Sequence, residues 1–168
     1  MNIWIKWKIL VVWTLLVGPV FFKTGAAQPK FDKSVFYEVM ASGDLDAVNQ
    51  ELAKVAWAQT NLATGYMGAL LMKKAGLLAK PKQRLKFFKE GRIQLETALL
   101  ADKENTEFHF LRLAIEEHAP KIVKYHTDIA NDKLIIEKNF KNLPLVLRQA
   151  ILDYCKNSKV LQAANFQP

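Results

Sequence analysis

Cysteine is all but missing from this chain: Cys155 is the only one in 168 residues. A lone thiol excludes an intrachain disulfide, so the folded domain must be held by core packing. Zinc or redox chemistry built on paired cysteines is excluded for the same reason. Cys155 lies near Ile151 and Tyr154 in an apolar helical pattern and reads as a small buried hydrophobe. Also missing are a phosphate-binding glycine loop, a serine elbow and a calcium loop. Asp102 and Glu104 lack the glycine that a calcium loop needs for its sharp turn, and read instead as a polar inter-helix turn. These absences favour a protein that binds over one that catalyses. Runs of alternating polar and apolar residues are absent too, which argues against a sheet.

What is present begins with "MNIWIKWKILVVWTLLVGPVFFKTGAAQ". Lys6 and Lys8 precede an apolar run from Ile9 to Phe22, and Gly25 and Ala27 supply small residues before Gln28. This layout predicts a secretory signal peptide over residues 1–27, cleaved between Ala27 and Gln28. The competing reading, an uncleaved anchor, meets a run short of the roughly 20 residues that span a bilayer. Loss of Lys6, Lys8 and Lys23, with no acidic residue, lowers the formal net charge from +8 to +5. Export to the periplasm or beyond, as a soluble product of residues 28–168, is the expectation.

From Phe31 onward apolar residues recur at three and four, so residues 28–168 read as one all-α domain of about seven helices. Asp32 is placed to cap a first helix carrying Val35, Phe36, Val39 and Met40, and Asp44 a second carrying Leu45, Val48 and Leu52. A third runs from about Asn61 to Gly76, with Ala63, Tyr66, Met67 and Leu70 inward. Gly65 and Ala69 on this helix invite a close neighbour. Pro81 opens a fourth with the stripe Leu85, Phe88, Leu95 and Leu99. Asn105 caps a fifth that ends before Pro120. A sixth is expected to follow at once, carrying Ile122, Val123, Ile129, Ile136 and Phe140, with Lys133 awkwardly in its apolar stripe. A seventh starts at Pro144, with Val146, Ala150, Ile151 and Tyr154. Short connections predict antiparallel hairpins stacked on one another, with loose termini.

In "GRIQLETALLADKENTEF", Gly91, Leu95 and Ala98 give small, large and small residues at spacings of four and three, followed by Asp102 and Asn105. This resembles the second helix of a tetratricopeptide repeat and the turn into the next. The resemblance implies stacked helical hairpins that work by protein binding. Lys103, His109 and Arg112–Leu113 depart from the family's usual proline, large apolar residue and leucine–glycine, and the match covers one hairpin junction. The stretches "GALLMKKAGLL", "FKEGRIQLE" and "EFHFLRLAIEEHAP" are similar to small exported bacterial helical proteins of no assigned activity, which implies no active residues.

All three histidines fall between Glu107 and Asp128. On a helical wheel His109 shares a stripe with Arg112 and Glu116, read as a solvated or salt-bridged face. His118 sits in a last helical turn, where the unpaired carbonyls favour a cation. His126 is expected at the core edge, with one nitrogen bonded to a carbonyl or a neighbouring side chain. Their spacings of nine and eight do not match helical zinc ligands, so no metal, cofactor or catalytic residue is assigned. Glu117, His118 and His126 are the side chains to inspect for a metal- or histidine-dependent enzyme, the least favoured reading.

"KKAGLLAKPKQRLKFFKEGR", Lys73 to Arg92, sets eight basic residues against Glu90 alone. Lys82, Lys86, Lys89 and Arg92 are the candidate anion-binding patch. Nucleic acid is not an expected partner, because export is expected and no aromatic stacking platform is evident. The leading expectation is an exported, non-enzymatic domain that binds a protein or peptide of the cell envelope. The alternative is a binder of anionic lipid or glycan through segment 73–92.

Overall fold

The computed structural model describes residues 31–166, and among these every regular element is helical. The expected signal peptide, residues 1–27, lies outside them. The helices are α1 (Lys33–Ala41), α2 (Leu45–Val55), α3 (Asn61–Leu77), α4 (Pro81–Ala101), α5 (Thr106–His118), α6 (Ile129–Asn139) and α7 (Leu145–Cys155). Short 3-10 turns cover Lys121–Val123, Phe140–Asn142 and Ala163–Phe166. No helix among the described residues is long and apolar enough to cross a membrane.

Side-chain caps set most of the starts. Asp32 accepts from Ser34 N, Asp44 from Asp46 N and Ala47 N, and Asn105 from Phe108 N. Thr60 adds a cap on Ala63 N that the sequence reading did not name. Each satisfies a backbone donor that the first helical turn leaves without a partner.

The most extensive helix pair is α3 with α4. Gly68 and Gly91 meet there. A Cβ on Gly91 would stand 2.5 Å from Gly68 O, so only hydrogen side chains permit the backbones to come this close. A Cβ on Gly65 would collide with the Phe108 ring, as the expected close neighbour requires.

Helix α5 lies between two apolar clusters. Phe108 and Leu111 join the core built from α1–α4, whereas Phe110 and Leu113 join a second core with Ile136, Phe140, Leu147, Ile151 and Leu161. A helix apolar on two sides and covered on a third is buried all round, so its polar residues must find partners inside the protein.

Five expectations need correction. The chain does not resume a helix after Pro120. It makes one 3-10 turn, enters the left-handed region at Lys124 (φ 48°) and runs irregularly to Asp128 before α6 begins at Ile129. Ile122, expected inward, is 88% exposed. Leu85 faces solvent rather than the core, as does every residue of α4 from Pro81 to Lys86. In α7 the buried positions are Leu147 and Ile151, while Val146 is exposed. The C-terminal end is packed: Leu161 is fully buried, and Phe166 lies against Phe140 with ring centroids 4.4 Å apart. Lys133 stays within a continuous α6, half-buried, with its amine 3.7 Å from Glu137.

Candidate functional site

The polar stripe of α5 is where ionisable groups gather. Asp132, in the first turn of α6, is fully buried and receives Arg112 in a two-pronged bond, Nε to Oδ2 at 2.8 Å and Nη2 to Oδ1 at 2.7 Å. Arg112 Nη1 reaches Glu96 of α4 at 3.1 Å, and Nη2 lies 3.6 Å from Asp128. His109 Nδ1 bonds Asp132 Oδ1 at 2.7 Å, and its Nε2 bonds Lys103 O at 2.8 Å. A carboxylate and a carbonyl only accept, so this pair of contacts favours the doubly protonated imidazolium, in which both ring nitrogens donate. Burial pulls the His109 pKa down, but the hydrogen bonds to Asp132 and Lys103 O outweigh it and leave the pKa raised. Arg112 is likewise opposed by burial and held charged by Asp132 and Glu96.

His109 is therefore not the surface residue the wheel suggested; it is buried. The stripe is salt-bridged, but the partners of His109 are Asp132 and Lys103 O, neither of which lies on α5. The start of α6 covers it through Asp132, and the elbow 124–128 covers the neighbouring Glu96, Arg112 and Glu116. Tyr125 OH donates to Glu96, its ring meets Phe88 edge-on at 5.8 Å, and Arg92 lies over that ring at 4.7 Å. Asp128 N donates to Glu116 Oε2 at 3.1 Å, and His126 Nδ1 donates to Glu116 O at 2.7 Å. Burial pushes the Glu116 carboxyl upward.

A cavity of about 170 Å³ opens beside this network, lined by Glu96, Leu99, Leu100, Lys103, His109 and Arg112. Ligand pockets usually hold about 300–1,000 Å³, so this one suits a few waters rather than a metabolite. Both nitrogens of His109 are engaged by Asp132 and Lys103 O, so neither is free toward the cavity.

Two further carboxylates pin distant parts of the chain. Glu107 accepts from Tyr37 OH (2.6 Å), Tyr66 OH (2.7 Å) and Lys33 Nζ (2.8 Å), joining α1, α3 and α5. Glu117 accepts from Tyr154 OH, Ser158 Oγ and Lys159 N, each at 2.6 Å, and so holds the C-terminal segment. Burial alone would raise the Glu117 pKa; the bonds from Ser158 and Tyr154 lower it.

Of the weak candidates, Glu117 and His118 do come together around Tyr154, with His118 Nδ1 bonded to Ala114 O at 3.0 Å. His126 turns instead to Glu116 O, its Nε2 buried without a partner. Among the described residues no group of three or more His, Cys, Asp or Glu side chains is placed to hold a metal ion.

The basic candidates lie on α4. Lys82, Lys86 and Lys89 are exposed; Lys86 makes only a 3.9 Å approach to Glu90 and a 5.7 Å approach to the Phe87 ring. Arg92 is exposed but committed to the Tyr125 ring. The sequence reading missed the neighbours of these lysines: Ile93 and Leu100 are 67% and 71% exposed on the same side of α4. Their spacings of four and eleven residues from Lys89 are a helical-face signal that was there to be read.

No protein-family model matches the chain, and no curated protein or solved structure matches it either.

Proposed function

We propose that the chain is an exported, non-enzymatic module of stacked, tetratricopeptide-like helical hairpins that acts by binding a protein or peptide partner in the cell envelope. The observation that carries this reading is the outer side of α4, where Lys82, Lys86, Lys89, Ile93 and Leu100 all face solvent on the side turned away from α3. Exposed aliphatic side chains grouped with exposed cations are more use to a partner than to the fold. The contrast with α5 supports it: the charged groups there are spent on internal partners. Export rests on the residue 1–27 pattern.

Site-specific photo-crosslinking in the exporting cell tests the reading. A photoreactive residue is placed at Ile93, at Trp57 or at Leu134, three exposed positions on different elements. Protein adducts at one or more of these positions, on a secreted chain that begins at Gln28, are the expected result. No protein adduct at any of them would remove the binding-module reading, and a secreted product still carrying residues 1–27 would remove signal-peptide cleavage.

A further inference from the structure

Along the outward side of α4 the residues Lys82, Lys86, Lys89, Ile93, Glu96 and Leu100 follow one another at spacings of four, three, four, three and four. That is the spacing of a helical seam, a straight ridge that another helix can follow along its length. Helix α4 has 21 residues, so the ridge runs about 30 Å at roughly 1.5 Å per residue. Its two halves differ in chemistry. The first carries three lysines, of which Lys82 and Lys89 have no ion pair among the described residues. The second carries Ile93 and Leu100 on either side of Glu96, whose carboxylate is held by Arg112 and Tyr125 and so adds no free charge to the seam.

We propose that this ridge docks a helix of a partner protein that is acidic along one half and apolar along the other, its carboxylates against Lys82, Lys86 and Lys89 and its aliphatic side chains against Ile93 and Leu100. The proposal rests on the binding-module reading and names the surface and the partner's chemistry. Charge complementarity selects this occupant over the others. A second copy of the chain fits poorly: antiparallel, it sets the lysines of one α4 against Ile93 and Leu100 of the other, and parallel, it sets lysine against lysine. Residues 1–30 contain no Asp or Glu, so they cannot supply the acidic half. A lipid surface would want a broad apolar face, whereas this one offers Leu85, Ile93 and Leu100.

The test uses the protein in the form recovered from the producing cell and a synthetic 21-residue helical peptide. The peptide has Glu at the positions facing the three lysines and Leu at those facing Ile93 and Leu100; a scrambled peptide of identical composition is the control. Fluorescence anisotropy is expected to show the patterned peptide bound roughly tenfold more tightly than the scrambled one. K82E/K86E/K89E and, separately, Ile93→Glu with Leu100→Glu should each lose roughly tenfold, with salt dependence carried by the lysines alone. Unchanged circular dichroism and melting show that the variants are folded, and a lysine-to-glutamine triple variant replaces any that is not. Equal binding of the two peptides overturns the proposal. So does binding to anionic phosphatidylglycerol vesicles that the Ile93/Leu100 variant abolishes while the patterned peptide stays unbound, or a dimer in sedimentation that the same variant dissolves. Crosslinks at Trp57 or Leu134 without peptide binding would retire the ridge and leave the binding-module reading standing.

Discussion

Helices α4 and α5 are neighbours in the chain and both carry charged side chains, yet they use them in opposite ways. On α5 every ionisable side chain but the exposed His118 at its end, namely Glu107, His109, Arg112, Glu116 and Glu117, points into protein and is met by donors or acceptors from α1, α3, α4, α6 and the C-terminal segment. On α4 the cations face water beside aliphatic groups that no other element covers. The difference follows from position. A helix enclosed between two cores cannot leave a charge without a partner, because desolvation costs several kcal/mol per ion. An outer helix is under no such constraint, so its exposed pattern is open to other uses.

Breaking the α5 side should produce the largest effect. Arg112→Ala strips Asp132 of its two-pronged partner and leaves a fully buried carboxylate with His109 alone. A loss of about 3–5 kcal/mol is expected, measured by urea unfolding. Next, Glu117→Ala removes three acceptor bonds at the C-terminal segment. A loss of about 1.5–3 kcal/mol is expected, with faster amide exchange over residues 158–166 while α3 and α4 remain protected.

Proton release from His109 is a gentler version of the first change. Its folded pKa lies above the ordinary 6.5, so its contribution is fully present below pH 6.5 and is lost as pH rises through the folded value. The midpoint of thermal unfolding should therefore fall in the parent as pH rises above 6.5. The fall should be shallower in His109→Gln; parallel profiles would detach the effect from this ring. Glu116, whose carboxyl burial pushes upward, also favours the folded state in acid, but its change belongs to lower pH. The smallest effect belongs to α4: K82E/K86E/K89E should shift stability by no more than about 0.5 kcal/mol per site, since none of the three supports the fold. A large destabilisation there would erase the contrast between the helices.

Much of the helical layout was legible because its determinants are local. Asp32, Asp44 and Asn105 cap where cap-type residues precede apolar stripes, and Pro81 opens α4. The miss at 121–128 is instructive. Ile122, Val123, His126 and Ile129 satisfy a helical wheel, yet the segment is an elbow, because Tyr125, His126 and Asp128 are each drawn to a carboxylate or carbonyl of α4 or α5. Thr127–Asp128 ahead of Ile129 was the available clue, since both are helix-start residue types. His109 was placed on the right stripe with the right companions, but nothing within α5 says that α6 will cover that stripe.

By itself, the sequence determined the helical character of residues 31–166, the starts of most of their helices and the cationic run on α4, because each depends on residues within a turn or two of one another. The tertiary structure alone decided which charged face is interior and which is solvent. That choice depends on what packs from elsewhere: Asp132 arrives 20 residues beyond Arg112, and Glu107 is met by tyrosines 70 and 41 residues away. A charge pattern on a helix states that a polar face exists; the neighbours decide whether it becomes a buried lock or an open surface.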